Sequence, residues 1–167
     1  SPFHDLIKRM SVESDNAVIT DSAVEKAIQK SLRPPYGALV QFKGFGSEQS
    51  DTEAMYQTLV TYWSAVKQVF GDAWGLPSTK SRLMHSAGIR SMSVLMDQIM
   101  MRADMVPEPG EIILEALQRL KPHCHWTDGV WEGLGWQWNE IQSTPTHINR
   151  LSEHLTRLDK ELSRRSA

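Results

Sequence analysis

The sequence predicts a mainly α fold: a single-domain bundle of five to six helices, with one short extended segment and a Trp-rich connection before the C-terminal helix. Three observations predict it. Apolar residues recur at spacings of three and four over long windows, the period of an amphipathic helix. Only residues 38–42 read as a convincing extended run. Proline and glycine punctuate the ends of the periodic segments, where helices stop. The 167 residues, 40% hydrophobic and 23% charged, suffice for one domain with its own core. Residues 1–167 are therefore read as one helical domain, with 36–165 as its core and 1–35 as a candidate semi-independent subdomain.

Residues 1–13 read as a short helix, with Phe3, Leu6, Ile7 and Met10 on one side. Residues 18–20 read as a brief extended piece. Thr20 or Asp21 then caps a helix over 22–32, with Glu25 placed as a capping-box acid and Val24, Ala27, Ile28 and Leu32 on its apolar face. Pro34-Pro35 ends it. Two short helices in sequence invite a DNA-reading motif, but no recognition helix with base-reading residues follows. Ala38-Leu39-Val40-Gln41-Phe42 is the extended run, broken by Gly44 and Gly46. The GFGSE loop behind it lacks the Lys-Ser/Thr ending and the spacing of a P-loop.

A long helix is predicted over 51–70. Ser50 or Asp51 caps it, Glu53 suits its positive end, and Gly71 stops it. Met55, Leu59, Tyr62, Val66 and Val69 form its stripe, widened by Trp63 and Phe70. Ala73 to Pro77 is a turn whose Trp74 packs down. A second long helix, Met-rich, is predicted over 81–102, with Met84, Gly88, Met92, Leu95, Met96 and Ile99 facing the core. Gly88 within it costs about 1 kcal/mol relative to alanine, which points to a backbone approaching closely. Residues 107–110 form a turn, and 111–120 a third helix with Ile112, Ile113, Ala116, Leu117 and Leu120 inward.

Four of the six tryptophans, Trp126, Trp131, Trp136 and Trp138, fall within thirteen residues, interleaved with Gly129, Gly133 and Gly135. Such alternation is not an ordinary helix. The stretch reads as an ordered connection whose rings wedge the last helix into place; its alternative is an aromatic surface that stacks a base or receives a partner. The final helix is predicted over 144–164, with Pro145 in its first turn. Ile148, Leu151, Leu155, Leu158 and Leu162 step by 3, 4, 3 and 4, a heptad-type stripe that either docks on the domain or forms a homodimer seam.

The charge balance, 18 basic against 20 acidic, argues against a whole-molecule field for DNA, though not against a local patch. The single cysteine, Cys124, excludes an internal disulfide and fits a reducing compartment, hence a cytoplasmic protein. No apolar run reaches membrane-spanning length and no signal peptide is visible, so no membrane partner is expected. The chain opens on Ser1-Pro2 rather than Met, as an excised piece of a longer protein or one with a tag remnant does.

Several constellations are candidates for chemistry. Lys80, Arg82, His85 and Arg90 form a basic edge on the Met-rich helix, two of them near its N-terminus, where anions are favoured. This is the candidate phosphate or nucleic-acid site. His123-Cys124-His125 is the obvious metal candidate, but adjacent residues rarely point at one ion, and the ligands to complete it, such as His85, His147 or Asp128, have no supporting spacing. Cys124 lacks a cationic neighbour or helix N-terminus to make it a nucleophile. Glu132, Asn139, Glu140 and Gln142 add polar groups among the Trp rings without a defined separation. No metal, cofactor or catalytic residue is assigned.

Two segments carry a family resemblance. One runs from Tyr62-Trp63-Ser64-Ala65-Val66 through Ala73-Trp74-Gly75 to Lys80-Ser81-Arg82-Leu83-Met84-His85-Ser86-Ala87-Gly88-Ile89. The other runs from Cys124-His125-Trp126-Thr127 through Trp138-Asn139-Glu140-Ile141-Gln142-Ser143-Thr144-Pro145 to His147-Ile148 and Leu151-Ser152. Together they resemble the C-terminal helical region of DGQHR-domain proteins, over roughly residues 36–160. That group is associated with bacterial DNA-modification and defence gene clusters. The DGQHR motif itself is absent from this chain, so no catalytic residue carries over. The resemblance implies a non-catalytic helical domain that binds DNA or a protein of the same gene cluster. Its rivals are a dimerisation module on the C-terminal stripe and a small metal-binding or enzymatic domain using His123, Cys124 and His125.

Overall fold

A computed structural model of the chain describes residues 1–4, 6–8, 19–46 and 48–166. Among these are five α-helices: α1 (Asp21–Ser31), α2 (Thr52–Val69), α3 (Ser86–Ala103), α4 (Pro109–Leu120) and α5 (Pro145–Arg165). Two short strand pairs accompany them. β1 (Ile7–Lys8) runs parallel to β2 (Ile19–Thr20), with Ile7 opposite Ile19. β3 (Val130–Trp131) runs antiparallel to β4 (Trp136–Gln137), with Trp131 opposite Trp136. The fold is mainly α, as the apolar spacing predicts. No helix among the described residues is long and apolar enough to cross a membrane.

α3 is the central element, packed against α1, α4 and α5, while α2 rests on α4. Its buried residues go most of the way round the helix, from Ala87 and Ile89 to Met92, Leu95, Met96, Ile99 and Ala103. Full burial of each Met, Leu or Ile side chain contributes about 1.5–3 kcal/mol, so α3 dominates the core. Its two buried serines mark crossings: Ser91 Oγ donates to the Ile148 carbonyl of α5, and Ser93 Oγ donates to the Ala27 carbonyl of α1. The Tyr62 hydroxyl donates to the Met92 carbonyl at 2.5 Å. Arg102 of α3 and Asp159 of α5 form a two-pronged ion pair at 2.6 and 2.8 Å.

Several local expectations are corrected. The described part of the N-terminal segment is not helical: residues 2–4 form a turn and Ile7–Lys8 pair as a strand. The remainder of the predicted helix, residues 9–13 with Met10, lies outside the described residues. α1 begins at Asp21, and Glu25 accepts from Gln29 rather than closing a capping box. Its buried face is Ala23, Ala27 and Ser31, so small residues let α1 approach α3 closely. The run 38–42 is not extended. It turns into a 3-10 helix, Val40–Phe42, and its apolar character serves burial of Ala38 and Leu39 instead.

α2 begins as predicted, with the Asp51 carboxylate accepting from the Ala54 N–H. α3 does not. Residues 82–85 form a turn and bend, and the helix starts at Ser86. The cause lies at Gly88. A Cβ there would stand 2.0 Å from the Arg82 carbonyl oxygen, so the turn folds back onto the first helical turn where only glycine leaves room. The Trp-rich stretch is a hairpin, with Gly129, Gly133 and Gly135 all at positive φ, followed by a 3-10 helix, Trp138–Glu140.

Candidate functional site

The predicted basic edge is rearranged by the late start of α3. Lys80 and Arg82 lie in the turn before it, His85 is its N-cap, and only Arg90 lies on the helix. Arg82 is committed within the fold. Its guanidinium donates to the Ser78 carbonyl at 2.5 Å and the Asn139 carbonyl at 2.9 Å, and its backbone N–H donates to the Trp126 carbonyl. It staples the turn to the Trp-rich stretch. His85 Nδ1 accepts from the Ala87 N–H at 3.2 Å, and burial, then the Arg82 charge, hold its imidazole below the ordinary range. Lys80 is exposed in the turn and Arg90 half-buried on the helix.

The tryptophans divide. Trp126 and Trp131 are buried and meet edge to face at 4.9 Å; Trp126 reaches Phe70 and Trp131 reaches His154 of α5. Trp136 is half-buried, stacked on His147 at 4.3 Å with the Arg150 guanidinium 4.7 Å from its ring. Trp138 is half-buried in the 3-10 turn. Two of the four thus wedge α5 against the core, as expected, and Trp136 and Trp138 line the surface beside it.

The tripeptide His123-Cys124-His125 does not converge. His123 is exposed, His125 sits edge-on to Trp131, and burial pushes the Cys124 thiol well above the ordinary thiol range, which disfavours the nucleophilic thiolate. Among the described residues no group of three His, Cys, Asp or Glu side chains is placed to hold a metal. Glu140 is used locally, its carboxylate accepting from the Gln137 N–H. On α5, Ile148, Leu151 and Leu155 are buried within this chain, with Leu158 and Leu162 partly buried against the core. Ile148, Leu151 and Leu155 of the stripe thus dock inward, the first of the two expectations for it.

A different place gathers charge around open space. α1 ends at Ser31, and residues 34–37 turn back toward α3 through a cis Pro34–Pro35 bond. Gly37 is obligatory in that turn, since a Cβ would stand 2.2 Å from the Ser31 carbonyl oxygen. The Leu39 N–H donates to that same carbonyl, and the Ala38 N–H donates to Asp97 Oδ1 of α3 at 2.9 Å. The loop is therefore tied to two helices. Between it, α3 and α5 lies an open cleft of about 610 Å³, lined among others by Lys30, Arg33, Tyr36, Asp97, Met101 and Lys160. Its volume falls in the range of small-ligand sites, about 300–1,000 Å³.

The electrostatics of this cleft are uneven. Lys30, Arg33 and Lys160 make no ion pair among the described residues, whereas Arg157, in a neighbouring hollow that also borders Lys30 and Lys160, is occupied by Glu161 and His154. Asp97 is the acid of the cleft; burial raises its carboxyl, opposed by the Ala38 N–H, Ser31 and the Lys30 charge. Tyr36 stands 71% exposed and Met101 52% exposed. The cleft thus offers cations from α1, its following loop and α5, together with aromatic and apolar surface from Tyr36 and Met101. Sequence reasoning singled out none of these residues. One signal was available: a polar Asp97 in the Met-rich stretch, opposite no obvious partner.

Comparison with family models, curated proteins and solved structures returns no match, so the site is read from its own geometry.

Proposed function

We propose that the chain is a non-catalytic interaction domain that binds the phosphate backbone of nucleic acid in the cleft between α1, α3 and α5. The observation that carries this is the gathering of Lys30, Arg33 and Lys160, none ion-paired among the described residues, around one open cleft. Cations held in no ion pair have none to break on meeting phosphates, and their binding releases condensed counterions. The chain's net charge of −2 makes the attraction local to the cleft, not general to the surface. The resemblance to DGQHR-domain proteins, which implies DNA or a protein of the same gene cluster as partner, is compatible with this reading in a bacterial DNA-modification or defence setting. The reading needs no catalytic residue and no cofactor.

The test is fluorescence anisotropy with a labelled oligonucleotide across salt concentration. Three phosphates neutralised on a single strand give a log–log salt slope of about −2. The triple variant K30A/R33A/K160A lowers affinity and flattens that slope, while K80A/R90A leaves both nearly unchanged. Equal binding of polyglutamate and oligonucleotide defeats the reading in favour of an acidic protein partner, as does a triple variant that binds like the native chain.

A further inference from the structure

Resting on the nucleic-acid reading above, we infer that the cleft takes a single strand, with one base stacked on the Tyr36 ring and its amino edge turned to Asp97. Tyr36 is 71% exposed, yet the loop that carries it is anchored through the Leu39–Ser31 and Ala38–Asp97 hydrogen bonds. A solvent-facing ring on an anchored loop beside unpaired cations is the arrangement that binds single strands: the charges track the backbone and the aromatic face stacks a base. In a duplex the bases are already stacked and paired, so Tyr36 has no free face to meet. Met101, 52% exposed, supplies apolar surface in the same cleft.

Asp97 adds a preference. A carboxylate has about four acceptor positions. The Ala38 N–H takes one and Ser31 bears on another, which leaves acceptor capacity in the cleft that Asp97 lines. Cytosine presents an amino donor where thymine presents the O4 acceptor. The carboxylate attracts the first and repels the second.

The experiment is anisotropy of the full chain at low salt with labelled oligodeoxycytidylate, oligodeoxythymidylate, an abasic oligomer and a duplex. Oligodeoxycytidylate binds about fivefold tighter than oligodeoxythymidylate. Tyr36→Ala weakens it about tenfold and leaves the abasic oligomer unaffected, while Tyr36→Phe retains binding. Asp97→Asn keeps an oxygen for the Ala38 N–H and turns an amide donor to the cleft, so the order of the two pyrimidines inverts. Circular dichroism establishes that each variant keeps its helices. Equal affinity for all single strands including the abasic one, or tighter binding of the duplex, overturns this inference while the backbone reading stands. Absence of binding to every oligomer, the abasic one included, overturns both.

Discussion

Arg102 reaches from α3 to hold Asp159 of α5 in a two-pronged ion pair, and Asp159 is only 1% exposed while Arg102 remains 31% exposed. Removing the cation strands a buried carboxylate. Arg102→Met therefore destabilises the fold by about 3 kcal/mol, at the lower end for buried pairs because Arg102 retains contact with water. The double variant R102M/D159L recovers most of that loss, since apolar replacements of a buried pair are often neutral. Urea unfolding of the two variants measures the difference; an equal loss in both contradicts this account.

Trp131 is fully buried, between Trp126, His125 and His154. Trp131→Ala leaves a large cavity under α5 and costs about 3–5 kcal/mol. Trp136→Ala, at the half-exposed stack on His147, costs about 1 kcal/mol. If denaturant midpoints move equally for the two, Trp131 is not the wedge described.

Gly88 sets two principles against each other. Alanine is the better helix former by about 1 kcal/mol. Yet its Cβ would meet the Arg82 carbonyl oxygen at 2.0 Å and the Leu83 carbonyl oxygen at 2.6 Å, both backbone atoms that yield little. Overpacking wins, and Gly88→Ala destabilises by about 2 kcal/mol or more. A raised thermal midpoint in this variant is the result that sinks the claim.

His154 is buried, its Nδ1 faces the Arg157 guanidinium, and burial followed by the Arg157 charge lowers its pKa. The unfolded chain, with an ordinary imidazole near 6.5, binds that proton more readily than the folded one. The contribution of neutral His154 is therefore complete above the ordinary value and is lost as pH falls below it. His85 has the same sign, whereas Asp97 and Asp104, raised by burial, have the opposite one. Comparing the native chain with His154→Gln isolates the term: the variant loses less stability between about pH 7 and pH 5. Parallel pH curves rule it out.

Burial pushes the Cys124 thiol up, so the reactive thiolate is scarce in the folded chain. Alkylation by iodoacetamide near pH 8 runs at least about tenfold slower than for an unfolded cysteine and speeds up in urea. Rapid modification of the native chain means the thiol is open to solvent.

Helix spacing was largely legible in sequence, and so were the starts of two helices. Asp51 and Glu53 mark the start of α2, and Pro145 after Thr144 marks that of α5, because those signals are local. The start of α3 was not. Histidine is a weak N-cap signal, and the turn at 82–85 exists only because Gly88 lets it fold back. The run 38–42 misleads for a related reason: Leu39 is apolar to be buried, and burial does not require an extended backbone. The cleft was the least legible. Lys30 and Arg33 are neighbours at the end of α1, and nothing local to them announces Lys160 on α5. The predicted basic edge was misplaced by the opposite route, since Arg82 answers backbone carbonyls that no sequence pattern displays.

Lys30 belongs to α1 and Lys160 to α5, so the cleft has no existence in any partly folded chain. A nascent polypeptide acquires it only after α5 has docked on α3. Any ligand held there would therefore report that α1 and α5 are both docked, and would tie together two helices that are far apart in sequence.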